Sequence, residues 1–144
     1  MSYSRIFPGW NEQIGQARRW VDNVLAAHAA FRIPDDTVAA TVLLVSEAAT
    51  NAVSHTASGR GGVFTLRLEI APGRIAVDVD DEGKAEAVPF LRPNTFMSER
   101  GRGIALIDHF AHAWRPLPAP RSGVTFTLLY PAVDPARRGD LPSG

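Results

Sequence analysis

Between Val38 and Thr56, the residues Val38, Val42, Val45, Ala49, Ala52 and Thr56 recur at helical spacing, which predicts a long helix with one stripe turned to a core. Upstream, Ile14, Ala17, Val21, Val24 and His28 predict an amphipathic helix from Asn11, its expected cap, to about Ala30, with His28 a packed or half-exposed histidine at the stripe's edge rather than a ligand. Pro34, Asp35 and Asp36 separate the two, and Asp35 is the expected cap of the second. Ile6 and Phe7 predict an edge strand that Pro8 and Gly9 end. Beyond a Gly-rich loop at Ser58 to Gly62 the period changes from helical to two. Phe64, Leu66, Leu68 and Ile70 alternate with Thr65, Arg67 and Glu69, and after a turn at Ala71-Pro72-Gly73-Arg74, Ile75, Val77 and Val79 alternate with Ala76, Asp78 and Asp80. These are two half-buried antiparallel strands. From Lys84 to Arg100 no period survives, as in a lid or a connection. Ile104, Ile107, Phe110 and Trp114 then share the face of a further helix. Prolines 116, 118 and 120 permit only a short edge strand, and Val124, Phe126, Leu128 and Tyr130, alternating with Thr125 and Thr127, predict the last strand. This order predicts an α+β sandwich in which helices cover one face of a mixed, mostly antiparallel sheet.

Composition narrows the class only slightly. At 144 residues one domain is expected, over 1–131, followed by a disordered tail over 132–144 rich in Pro, Gly and Arg. Fifteen basic and 15 acidic side chains cancel, so net charge gives no reason to expect direct contact with nucleic acid or a membrane. Without cysteine there is neither a disulfide framework nor a thiolate metal site. No basic leader precedes an apolar run, and no uninterrupted apolar stretch approaches the roughly 18 residues of a membrane span. The expectation is a soluble, cytoplasmic protein.

Three short motifs carry possible chemistry. Glu47 and Asn51 stand one helical turn apart, a carboxylate beside a neutral oxygen ligand suited to Mg²⁺ and the phosphates it accompanies. Asp81-Glu82-Gly83 ends a strand, where the carboxylate can accept from an exocyclic amine and the glycine lets a flat base approach. Gly101-Arg102-Gly103, preceded by Arg100, opens a helix whose free amides form an anion site. Each alone is also an ordinary exposed face, polar turn or helix entry.

In this order, "LLVSEAATNAVSHT", "VDVDDEG", "ERGRGIALIDHFAHAW" and "SGVTFTL" resemble the N-box and glycine boxes of the GHKL ATPase superfamily and, within it, the bacterial anti-sigma-factor serine/threonine kinases, over roughly residues 5 to 131. The resemblance implies a Bergerat-type ATP-binding sandwich. By that similarity Asn51 would hold Mg²⁺ and Glu47 would act as base toward an acceptor hydroxyl. Asp81 would bind the adenine amine beside Gly83, and Gly101 and Gly103, with Arg100 or Arg102, would cradle the phosphates. Thr125 would be a second adenine-side contact, and His55 a rim residue. Many relatives carry another glycine just after the Asp-x-Gly, whereas this chain continues Lys84-Ala85-Glu86, a stiffer and more charged hinge.

The implied activity is phosphorylation of a Ser or Thr on a small anti-sigma-factor antagonist, alternating with sequestration of a sigma factor. The implied assembly is a homodimer gripping its partner with the first helices, where Arg18, Arg19 and Asp22 accompany Trp20. The alternative is a non-catalytic partner-binding module of the same fold with weak or no ATP binding. A detached histidine-kinase catalytic domain fits less well, since neither a separate helical segment with a phospho-acceptor histidine nor a membrane span is expected from these patterns.

Overall fold

The computed structural model describes residues 1–56, 59–83 and 105–132. The first element, β1 (Ser2–Pro8), is followed by α1 (Asn11–Ala26), a 3-10 turn (Ala29–Phe31), α2 (Asp35–His55), β2 (Val63–Ala71), β3 (Arg74–Asp81), α3 (residues 105–110), β4 (Ala113–Pro116) and β5 (Ser122–Leu129). The five strands form one sheet in the order β1-β2-β3-β5-β4, and every pairing in it is antiparallel. The predicted α+β sandwich is present, with the described sheet wholly antiparallel rather than mixed.

Period-two alternation sorts the sheet into two faces. Phe64, Leu66, Leu68 and Ile70 of β2, Ile75, Val77 and Val79 of β3, and Phe126 and Leu128 of β5 are buried on the face that α1 and α2 cover. The opposite face is polar: there Arg121 donates to Asp78 Oδ2 at 2.9 Å and to both carboxylate oxygens of Asp80 at 2.8 and 2.9 Å. These hydrogen bonds, first those to Asp80, hold the guanidinium protonated above its already high range. At the β2–β3 turn Gly73 supplies the positive φ, 81°, that a Pro-Gly turn requires.

α2 lies over β3, touching β2 and β5, and α1 packs beside it toward β1. Its buried residues are Thr41, Leu44, Val45, Ala48, Ala49 and Ala52. Three alanines let its backbone settle close to the sheet, and the buried hydroxyl of Thr41 is satisfied by the Thr37 carbonyl at 2.8 Å. α2 is long and apolar enough to cross a membrane, with a mean hydropathy of 1.3, although Ser46, Glu47 and Asn51 interrupt its apolar run. That apolarity is used against the sheet.

Several local expectations shift. Asn11 and Asp35 are first helical residues rather than caps, and neither helix has a side-chain cap bond; Asp35 and Asp36 instead place charge in the first turn of α2. α1 stops at Ala26. His28 beyond it is packed rather than half-exposed, with Nδ1 donating to the Val24 carbonyl at 2.8 Å and Nε2 accepting from the Tyr3 hydroxyl at 3.2 Å, which ties the end of α1 to β1. α3 ends at Phe110, so Trp114 lies on β4 rather than on that helix. It still reaches back, donating from Nε1 to Asp108 at 2.9 Å. Ile104, the loop over Lys84 to Arg100 and the tail from 133 lie outside the described residues.

Candidate functional site

The buried face of α2 is not centred where Val38 and Thr56 suggest. At about 100° per residue it is turned roughly 40° from Val38 toward Asn51. Leu44 and Ala48 are buried, while Val38 and Val42 are only half-buried. Asn51 therefore sits about 100° from the middle of the core face and Glu47 about 140°, on the flank of the helix rather than its back. Both side chains are half-buried, unlike their neighbours Leu43, Thr50 and Ser54. His55 continues the same ridge one turn on and is half-buried as well.

The opposite flank of α2 belongs to α1. Val38, Ala39, Val42 and Ser46 line a groove of about 420 Å³ with Arg18 and Asp22 of α1, and Asn51 lies about 180° around the helix from Val42. The Glu47–Asn51 flank thus looks away from α1, over the β5 and β4 side of the sheet. There Ile107 of α3 is buried in the same core, with Leu106, Ala111 and Trp114 packed against it.

Chain direction sets which end of the sheet meets this flank. Asn51 lies in the last two turns of α2, and the short connection from Thr56 leads into β2 at Val63. Thr65, near that start, pairs with Asp80, so β3 ends at Asp81 beside the beginning of β2. The C-terminal part of α2 and the exit of β3 therefore share one end of the domain. Asp81 follows Ile75, Val77 and Val79 on the helix-covered face.

At that exit the Gly83 amide donates to Asp81 Oδ1 at 2.8 Å, and Gly83 has φ 73°. One carboxylate oxygen is pinned by its own turn, which orients the group. The other oxygen takes no hydrogen bond from any described residue and is available to an outside donor. A side chain at 83 would be strained by the positive φ and would point at Ser122, so the absence of a Cβ keeps this corner open. A carboxylate oriented to accept, next to bare backbone, suits an amine-bearing flat ring.

Thr125 is not brought to this place, and its adenine-side role is corrected. It pairs with Asp78, whose carboxylate Arg121 holds on the open face, so Thr125 lies across the sheet from Asp81. The β5 residues on the helix side are Val124, partly buried against the core, and Ser122, which pairs with Asp81. Alternation back from Leu128 and Phe126 carries that information, once β5 is registered against β3. Arg100, Gly101, Arg102 and Gly103 lie outside the described residues.

A family model described as a histidine kinase-like ATPase domain matches residues 7–116, a span that holds Glu47, Asn51, Asp81, Gly83 and residues 100–103 and stops short of β5. No curated protein matches the chain. With its helices on one face of an antiparallel sheet and with most of its length matched, the chain belongs to the histidine kinase-like ATPase domain family, a GHKL-type fold that binds ATP.

Proposed function

We propose that the protein is a serine/threonine kinase of the anti-sigma-factor type, which binds Mg-ATP, phosphorylates a small antagonist protein, and in its other state sequesters a sigma factor. The observation that carries this reading is the placement of Glu47 and Asn51, one turn apart on the half-buried flank of α2, at the same end of the domain as the Asp81–Gly83 turn. In it Asp81 accepts from the adenine amine beside Gly83, and Asn51 offers its amide oxygen to Mg²⁺, which neutralises phosphate charge when bound. Residues 100–103 contribute glycine amides and arginines to the phosphates. Glu47 accepts the proton of the acceptor hydroxyl as its oxygen bonds to the γ-phosphorus and ADP leaves. Mere nucleotide binding would not require a carboxylate one turn from Asn51, so Glu47 favours transfer.

The same reading has the protein acting in the cytoplasm as a homodimer, without direct contact to nucleic acid or membrane. Exposed Arg18, Arg19 and Asp22 on α1 are available to the sigma factor, while Trp20 is half-buried and packs edge-on to Phe7 at 6.1 Å.

Titration with Mg-ATP should show saturable, magnesium-dependent binding that Asp81→Asn and Asn51→Ala abolish. Glu47→Ala should keep binding and lose phosphate transfer to the antagonist; transfer surviving in that variant would sink the base assignment. A second reading, a partner-binding module with weak or no ATP binding, is favoured by Lys84-Ala85-Glu86 where relatives carry a further glycine. Absence of binding up to millimolar nucleotide would establish it.

A further inference from the structure

We infer that Ser122, at the start of β5, is the second polar contact to the nucleotide base, its hydroxyl donating to the ring nitrogen next to the amine that Asp81 holds. The inference rests on the ATP-binding reading above. Ser122 is the register partner of Asp81 and is half-buried. Its Cβ and Oγ each lie 3.7 Å from the position a Cβ on Gly83 would occupy, so its side chain borders the same open corner as the carboxylate. Its hydroxyl makes no hydrogen bond with any described residue, and neither does the second oxygen of Asp81. An acceptor-only group and a donor-capable hydroxyl, both unspent and side by side on paired strands, match the amine and adjacent ring acceptor on the edge of adenine.

The position is fixed by backbone that tolerates little change. Gly123 has φ 128°, and a Cβ there would run into the Val79 carbonyl, so β5 enters the sheet in close contact with β3. This holds Ser122 against Asp81. Val124, the next residue on the helix side, offers no hydrogen bond, and Thr125 is on the other face. Ser122 is therefore the one β5 hydroxyl placed beside the Asp81–Gly83 turn among the described residues.

The test is calorimetric titration of the whole chain with Mg-ADP and with its 1-deaza analogue, which lacks the ring acceptor, for the wild type, Ser122→Ala, Ser122→Thr and Thr125→Ala. Ser122→Ala should weaken ADP about fivefold, the size of one net hydrogen bond, with Ser122→Thr restoring affinity and Thr125→Ala leaving it unchanged. The wild type should prefer ADP over the analogue by a similar factor, and Ser122→Ala should bind the two alike. Ser122→Ala binding ADP within about twofold of the wild type, or Thr125→Ala losing as much, would overturn the inference and leave the ATP site standing. If Ser122→Ala fails to fold, equal wild-type affinity for ADP and the analogue overturns it instead. A wild type that binds neither nucleotide removes this inference together with the function it rests on.

Discussion

Two glycines at one end of the sheet show how differently a single missing Cβ can matter. Both Gly83 and Gly123 have positive φ, but a Cβ on Gly83 meets only ordinary van der Waals contact with Ser122, whereas one on Gly123 collides with the backbone of Val79. Gly83→Ala should therefore cost roughly 1–2 kcal/mol, the strain of a left-handed residue. Gly123→Ala should cost upward of about 3 kcal/mol, because β3 and β5 must separate. Urea denaturation of the two variants measures the difference, and equal losses would mean the sheet yields at β5. The sequence marks both as glycines and does not rank them. The ranking depends on what lies opposite, which is set by strand register.

At the scale of elements, α2 is where local pattern and tertiary placement part most clearly. Leu43 and Leu44 are adjacent and chemically identical, yet Leu44 is fully buried against the sheet and Leu43 is 37 % exposed. Leu44→Ala should lose about 3 kcal/mol, transfer and cavity terms together, and Leu43→Ala less than about 0.5 kcal/mol. Thermal and chemical denaturation of the pair checks this, and similar losses would place the core face elsewhere on α2. Periodicity alone favours the stripe through Val38 and Val42, because α2 is apolar over much of its circumference and several stripes are acceptable. The sheet beneath selects the one containing Leu44 and the alanines, since small residues permit close approach, and α1 takes the Val38–Val42 flank. That choice brings Glu47 and Asn51 to the edge of the core. The strands left less freedom: Phe64 to Ile70 and Ile75 to Val79 alternate strictly, and one face of each had to be buried.

For the molecule as a whole, the closing contact is at the far end of the sheet from the candidate site. There Tyr130, just past β5, is buried, and its hydroxyl donates to the Ala71 carbonyl at 3.2 Å, fastening the last strand to the β2–β3 turn. Burial raises its pKa from the ordinary value, because the phenolate would lose its hydration. The folded state thus favours the protonated form, and this stabilisation is complete below about pH 10, the unfolded value, and lost as pH rises through the folded one. Stability measured by urea denaturation should fall as pH rises above about 10, and Tyr130→Phe should flatten that fall; an unchanged slope would show that another group causes it. The amino-acid order by itself determined the two long helices, the alternation of the main strands, the α+β class and the motifs at Glu47, Asn51, Asp81 and Gly83, because hydrophobic period, proline and glycine act within a few residues. It also carried the resemblance to GHKL ATPases. Only the tertiary structure decided which flank of α2 faces α1, that Trp114 belongs to a strand, and that Ser122 rather than Thr125 stands beside Asp81. Those outcomes depend on which strands pair and in what register, a relation between residues some forty apart that no local pattern records.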